Sequence, residues 1–168
     1  MPDRKLVRQL ASASIGIAFL VMGLKFIAWY VTGSVALYSD ALESIVNVIT
    51  ASVAWYAITL SFKPEDSDHP FGHHKAEYFS AVVEGVLIVV AALLIAHQAW
   101  NAWMTPPVFE QTNTGLAVNA VATVINAVWA ALLMRAGRAY MSPALLAGAK
   151  HPWTNVLTSL GVLIGLSP

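Results

Sequence analysis

The sequence predicts an all-α membrane protein, a bundle of transmembrane helices. Of its 168 residues, 58% are hydrophobic and only 11% are charged, whereas a soluble domain carries about 25% charged residues. A globule with so few charges would be poorly solvated by water. We therefore expect the lipid bilayer to surround the chain. The apolar runs are continuous and do not alternate with polar residues, which favours helices over a β-barrel.

Five apolar runs are long enough to cross a hydrocarbon core about 30 Å thick, which takes roughly 20 helical residues. Ser142 and Pro143, a pair typical of a helix start, open the last run. Residues 1–168 are therefore predicted to form one transmembrane domain, with a loop over 63–77 and no C-terminal cytoplasmic domain. The predicted helices cover residues 10–31, 34–62, 78–103, 115–134 and 143–166.

The positions of the cations predict the orientation of the bundle. Lysines and arginines precede the first helix, occupy the 63–77 loop and lie between the fourth and fifth helices, whereas the two other connections have none. By the positive-inside rule, the N-terminus and the 63–77 loop are expected in the cytoplasm. The net charge of zero argues against nucleic acid as a partner, and the absence of cysteine excludes thiolate metal ligands.

The second helix carries a polar stripe on an otherwise apolar surface. Asp40, Glu43, Ser44 and Asn47 follow the i, i+3, i+4, i+7 spacing of one helix face. Carboxylates at membrane depth are costly and by default indicate a functional site. The alternative is a hydrogen-bonded seam between helices, with one carboxyl group protonated.

On the fifth helix, His151 and Asn155 are four residues apart and share a face. Pro152 has no N–H, so it leaves the carbonyl of Gly148 without its helical donor. A lone helical histidine is more often structural than a ligand. Together with the second helix, however, this face offers a carboxylate, an imidazole and two amide oxygens, a set that suits four-coordinate binding of a divalent cation.

Other polar residues in the spans have simpler interpretations. Lys25 either extends to the membrane interface or pairs with Asp40. Glu77 and Glu84 share one face of the third helix, where they are expected in the bundle interior or at an interface. A further pair of asparagines, Asn119 and Asn126, is predicted to form hydrogen bonds between helices.

The 63–77 loop contains a second candidate metal site. Asp66, His69 and His73 alternate with the turn residues Pro70 and Gly72. A carboxylate with two imidazoles is a common ligand set for divalent metals. The alternative is that charged and turn-forming residues here mark an ordinary solvated loop.

Three segments, "GSVALYSDALESIVNV", "HPFGHHKAEYFSA" and "GAKHPWTNVLTSLGVLIG", resemble in order and spacing the cation diffusion facilitator family. The middle motif, histidine-x-x-glycine-histidine-x-lysine-x-glutamate, is specific for that family. The resemblance implies a homodimeric antiporter in a bacterial inner membrane that moves Zn, Fe, Mn, Co, Ni or Cd out of the cytoplasm in exchange for protons. It implies a transport site of Glu43, Asn47, His151 and Asn155, and a loop site of Asp66, His69 and His73.

The chain departs from the family pattern in two respects. Family members have six spans, usually followed by a cytoplasmic domain, and here the sixth span and that domain are missing. Positions 47 and 155 are aspartate in many members, but both are asparagine here. The site then carries about one negative charge, which predicts weaker binding or a harder metal such as Fe(II) or Mn(II).

Two alternatives to a working transporter remain at this stage. One is a non-transporting structural or sensor protein, a truncated relative that binds metal or merely dimerises. The other is a membrane metal-dependent hydrolase, although no nucleophile motif accompanies the histidines. If the chain does transport, Glu43 and His151 are the titratable ligands available for proton exchange, with Asp40 and Lys25 as proton-carrying or supporting residues.

Overall fold

The computed structural model describes residues 4–104, 113–150, 152–153 and 156. Its helices are α1 (Arg4–Thr32), α2 (Val35–Ser61), α3 (Lys75–Met104), α4 (Asn113–Ala139) and α5, which runs from 143 to 150 and includes 152, 153 and 156. No strand occurs in these ranges, so the all-α class is confirmed. The segments Arg4–Thr32, Leu37–Ser61, Lys75–Leu94 and Ala117–Ala139 are each long and apolar enough to span a membrane.

The helices extend beyond the apolar runs that predicted them. α1 begins at Arg4 and α3 at Lys75, ahead of the predicted starts at residues 10 and 78, and α4 continues to Ala139, past 134. An apolar run marks only the part of a helix that lies in hydrocarbon, whereas its backbone hydrogen bonds continue into the headgroup region. The predicted end of the fifth helix at residue 166 lies outside the described residues.

A tight turn joins α1 to α2. Gly33 adopts φ +63°, a left-handed conformation that glycine tolerates without steric cost. Its N–H donates to the carbonyl oxygen of Trp29 (2.8 Å), as is common where a helix ends in this conformation. The hydroxyl of Thr32 donates to the carbonyl oxygen of Ala28 and accepts from the N–H of Ser34. The turn therefore leaves few backbone groups unpaired at the membrane edge.

Four of the helices surround a common core, and α3 packs outside it. The buried cluster joins side chains from α1, α2, α4 and α5: Val7, Ala11, Ala54, Ile58, Leu133, Ala144, Leu145 and Ala149. Between α1 and α4, the indole N–H of Trp129 donates to the hydroxyl of Ser14 (3.1 Å). α3 lies against α2 and approaches α5 where the carboxylate of Glu84 comes near Gly148.

Alanine provides most of the buried apolar residues in the described part of the chain. Small residues let helix backbones approach closely. In a bilayer, where the hydrophobic effect does not drive helices together, the van der Waals contacts at such close approaches stabilise the bundle. The larger apolar side chains, such as Phe19, Phe79 and Leu93, are instead exposed on the outer surface, where lipid would cover them. The bundle is therefore tightly packed by small residues inside and coated by large apolar residues outside.

Gly137 provides a test of this close packing at the contact between α4 and α5. A Cβ at Gly137 would lie 2.9 Å from Cγ and 3.0 Å from the backbone N of Leu146, whereas a Cβ at Gly85 would meet nothing within 4 Å. We expect Gly137→Ala to destabilise the bundle by about 1–3 kcal/mol through overpacking. Gly85→Ala, the matched control, should be neutral or stabilise by up to about 1 kcal/mol through helix propensity. Thermal unfolding in detergent measures both, and equal midpoints for the two variants would contradict the packing.

Candidate metal centres

A buried ion pair joins α1 to α2. The Nζ of Lys25 lies 2.6 Å from Oδ1 of Asp40, and the two side chains are 1% and 13% exposed. Lys25 therefore pairs with Asp40 and does not extend to the interface. Because an unpaired charge in this environment would be costly, the pair fixes which face of α2 is directed towards α1.

The same face of α2 directs two further ligand-type side chains inwards. Glu43 is half-buried and Asn47 is 7% exposed. Glu43 Oε1, Asn47 Oδ1 and the second oxygen of Asp40 are buried and have no hydrogen-bond partner among the described residues. Buried oxygens normally accept a hydrogen bond, so this stripe has capacity to accept from a donor or to bind a cation.

Asn47 lines a cavity of about 40 Å³ inside the bundle. A volume of roughly 10–15 Å³ is enough for one water molecule. The cavity lies between α1, α2, α4 and α5, and its polar walls are formed by Ser14, Asn47, Thr50 and Asn126. Gly148 and Pro152, with Ala144 and Leu145, supply the α5 wall, so α2 and α5 line one largely apolar interior space with a few polar groups.

Two of the predicted ligands, His151 and Asn155, lie outside the described residues. On α5, the described residues at the cavity include Gly148 and Pro152. Of the four predicted transport-site ligands, the structure describes Glu43 and Asn47. It describes all three residues of the predicted loop site.

The loop between α2 and α3 folds around the Asp66 side chain. Oδ1 of Asp66 accepts from the backbone N–H groups of Asp68 (3.1 Å) and His69 (2.7 Å). The Gly72 N–H donates to the carbonyl oxygen of His69 (3.0 Å), and Gly72 has φ +75°, which favours glycine. This local hydrogen bonding, typical of aspartate in turns, brings the next histidine, His73, back towards Asp66.

Asp66, His69 and His73 form a compact group of metal-type ligands. Each offers one ligand atom, and these atoms all lie within 4.8 Å of one another. Asp66 Oδ1 is 3.1 Å from His69 Nδ1, and Asp66 Oδ2 is 3.5 Å from His73 Nε2. Ligands about 2.0–2.2 Å from a tetrahedral metal are roughly 3.4 Å apart, so a small rearrangement would bring the three around one cation.

The surroundings of the Asp66 carboxyl group favour its charged form. Desolvation raises the pKa of Asp66, but hydrogen bonds from the backbone and side chain of His69, with the charges of His69 and His73, outweigh it and lower the pKa below its usual value. Asp66 and His69 are half-exposed, whereas the side chain of His73 is only 10% exposed and its Nδ1 is buried without a partner among the described residues. The Asp66 carboxyl group is thus favoured in its charged form, and the group is open to solvent on one side.

Glu77 links three helices at the end of the bundle that carries this loop. Its Oε1 accepts from the hydroxyl of Ser61 on α2 (3.0 Å), and its Oε2 accepts from the hydroxyl of Ser142, which precedes α5. Ser142 Oγ in turn accepts from the N–H of Leu145, as a helix N-cap does. The loop cluster is therefore attached, through the first turn of α3, to the helices that line the cavity.

Two asparagines of α4, Asn119 and Asn126, each have a side-chain atom that is buried without a described partner. Asn126 faces the cavity and its Nδ2 has no partner among the described residues, and Oδ1 of Asn119 has none there either. The predicted interhelical hydrogen bonds are not formed by these atoms. The sequence placed Glu84 on the same face of the third helix as Glu77. It did not predict that the Glu84 carboxyl group lies near Gly148 on α5.

Comparison with known proteins identifies the family. The model of the cation efflux transmembrane domain matches residues 11–167. An uncharacterized transporter of Synechocystis sp. is 47% identical over 163 residues, covering 97% of this chain and 53% of the relative. The cation-efflux pumps FieF of Serratia proteamaculans and Shewanella oneidensis are 28% and 26% identical, covering 97% and 95% of this chain and 54% of each relative.

The chain belongs to the cation efflux family, whose members are transporters and not enzymes. The resemblance seen in the three sequence motifs is thereby confirmed, and the hydrolase alternative is not supported. The chain spans about half the length of the curated relatives it matches.

The ion pair on α1 and α2 predicts a specific pattern of stability. Lys25→Met leaves the Asp40 carboxylate buried and unpaired, and breaking a buried pair in this way typically costs about 3–5 kcal/mol. The double variant Lys25→Met, Asp40→Asn removes both charges and should recover most of that loss. Unfolding midpoints of Lys25→Met, Asp40→Asn and the double variant in detergent measure the coupling energy between the two side chains. Additive effects of the two substitutions would show that the pair contributes nothing.

Proposed function

We propose that this chain is the membrane part of a divalent metal efflux transporter that exchanges metal for protons. In this proposal the metal binds between α2 and α5, held by Glu43, Asn47, His151 and Asn155, and leaves the cytoplasm. The substrate is one of the divalent ions Zn, Fe, Mn, Co, Ni or Cd. Residues 1–168 act as one transmembrane domain, and two copies form a homodimer, as the family resemblance implies.

One observation carries most of the support for this site. Asn47 on α2 and Gly148 and Pro152 on α5 line the same cavity, which is located among transmembrane helices and carries a few polar side chains on largely apolar walls. Asn47 Oδ1 at this cavity and Glu43 Oε1, one turn earlier on α2 and outside the cavity lining, are buried without described partners. His151 and Asn155 follow within one to two helical turns of Gly148 in the sequence. A cation there would supply the missing partner for these oxygens.

The ligand chemistry favours moderate affinity. The nearby Lys25 and Asp40 neutralise each other, so Glu43 provides the net negative charge of the described part of the site. Amide oxygens are harder and weaker ligands than thiolates, and carboxylate and carbonyl oxygens suit Mn better than they suit soft metals. We therefore place Fe(II) and Mn(II) ahead of Cd as substrates. Protonation of Glu43 and His151 on the far side would displace the ion.

The charged ends of the helices support a cytoplasmic N-terminus. The guanidinium of Arg4 at the start of α1 lies over the ring of Phe62, just after α2, at 5.6 Å from its centroid. Ser142, between α4 and α5, contacts Glu77 at the start of α3. The cationic segments around Arg4, 63–75 and 135–138 therefore lie at one end of the bundle, which by the positive-inside rule faces the cytoplasm. The bacterial relatives support an inner-membrane location.

The loop group of Asp66, His69 and His73 is proposed as a second metal site on the cytoplasmic side. It would offer three protein ligands and leave a fourth position for water or a passing ligand. Its solvent exposure favours exchange with the cytoplasm over permanent retention. A chain that binds metal here without transporting it is the second candidate function, and this compact ligand group is the observation that favours it.

The transport site is tested by substitutions on α2. Glu43→Ala should lower metal affinity by roughly 100-fold or more, because loss of even an indirect partner of a metal ligand costs about 10–100-fold, and it should abolish metal-driven proton flux in proteoliposomes. Asn47→Asp adds a carboxylate and should tighten binding. Ile45→Ala, at a similar depth on the exposed face, is the control. Unchanged binding and flux in Glu43→Ala would refute the assignment.

The loop site is tested by comparing adjacent histidines. His73→Ala removes a ligand of the group, so calorimetric titration with Zn, Fe, Mn or Co should register one fewer metal bound per chain. His74→Ala changes an exposed neighbour that is not in the group and should keep the wild-type stoichiometry. Both variants retain Glu43 and should keep the transport site. Identical titrations for the two variants would exclude the loop site.

A further inference from the structure

A further carboxyl group is buried in the bundle and belongs to neither of the two proposed ligand sets. Glu84 on α3 is 0% exposed. Its Oε1 accepts a long hydrogen bond from the hydroxyl of Ser80 (3.4 Å), and its Oε2 is buried with no partner among the described residues. At 1.5 Å per residue, it lies about 14 Å along the helix from Lys75, within the membrane span.

No cation neutralises this carboxyl group in the described part of the chain. Lys25 is paired with Asp40, and the other described lysines and arginines, including Lys150 on α5, are exposed. Glu77, on the same face of α3, already accepts from Ser61 and Ser142. A buried carboxylate without a charge partner costs far more than its neutral acid, so in this state Glu84 holds a proton.

The surroundings of Glu84 connect it to the cavity. Its Oε2 would lie 3.8 Å from a Cβ placed on Gly148, and Gly148 is itself part of the cavity wall. Glycine has no side chain to insert between the carboxyl group and the cavity. Pro152 supplies no N–H to the Gly148 carbonyl, so this helical hydrogen bond is absent on α5 beside Glu84.

Among the described residues, Glu84 forms no hydrogen bond or ion pair with a proposed metal ligand. On α2, which packs against α3, the carboxylates are Asp40 and Glu43, both far along the helix from Ser61. On α5, the titratable residues beyond Gly148 are Lys150, which is exposed, and His151, which lies outside the described residues. On α3 itself the neighbours are Ser80 and Glu77.

We propose that Glu84 is a proton-binding site of the transport cycle, distinct from the metal ligands. It carries a proton as a neutral acid while α3 and α5 are in contact. When α5 moves away, water enters, the O–H bond of Glu84 breaks, and the proton passes to that water as hydronium, leaving a carboxylate. Before the next closure, the carboxylate takes a proton from a hydronium ion that enters from the opposite side of the membrane and leaves as water. This inference rests on the proposed exchange of metal for protons and adds a proton carrier to it.

The test combines transport and infrared measurements on purified protein in liposomes. Glu84→Gln keeps the shape of the neutral acid but holds no exchangeable acid proton, and Glu84→Asp keeps the acid. Glu84→Gln should bind metal as wild type does but move fewer protons per metal ion, whereas Glu84→Asp and the exposed control Glu65→Gln should keep the wild-type ratio. The carbonyl band of a protonated carboxylic acid, shifted in heavy water, should be present in wild type and lost in Glu84→Gln.

The outcomes separate the two proposals. An unchanged proton-to-metal ratio in Glu84→Gln, or the absence of any infrared difference from wild type, would overturn the role of Glu84 while leaving metal transport intact. If wild type itself shows no metal-driven proton flux, the proposed exchange fails, and the infrared band then decides alone whether Glu84 holds a proton. A purely structural role would alter unfolding midpoints without altering the proton count.

Discussion

The arrangement of this bundle depends on one ion pair that is buried between two helices. Lys25 and Asp40 meet inside the helix packing, where either charge alone would cost several kcal/mol. The contact therefore fixes the rotation of α2 relative to α1. Because Glu43 and Asn47 follow Asp40 on the same face, that rotation also determines that their oxygens are directed inwards and not towards lipid.

A second polar contact fixes the opposite end of the helices. Glu77 accepts hydrogen bonds from the hydroxyl groups of Ser61 and Ser142. The ends of α2, α3 and α5 therefore meet at one carboxyl group. The loop with Asp66, His69 and His73 starts and ends next to this contact. Occupation of the loop by a cation would therefore act on the ends of these three helices, of which α2 and α5 line the cavity.

The sequence predicted the features that local chemistry determines. Hydropathy alone indicated the helices, and the turn-forming residues around Asp66 indicated that the loop side chains would converge. The pairing of Lys25 with Asp40 was one of two alternatives, since spacing along separate helices does not establish which faces meet. The approach of Glu84 to Gly148 was not predictable, because it depends on α3 packing against α5, a contact between segments more than sixty residues apart. For the same reason, the sequence did not show that Asn126 lines a cavity.

The alanine-rich interior has a mechanical consequence. Helix surfaces built from long side chains interlock as ridges in grooves, and moving one past another requires many side chains to change rotamer together. The surfaces here meet largely through methyl groups such as those of Ala54, Ala144 and Ala149, whose ridges are shallow. Helices packed in this way shear past each other at low cost, so the polar contacts at the two ends of the bundle, and not the apolar packing between them, define its resting position.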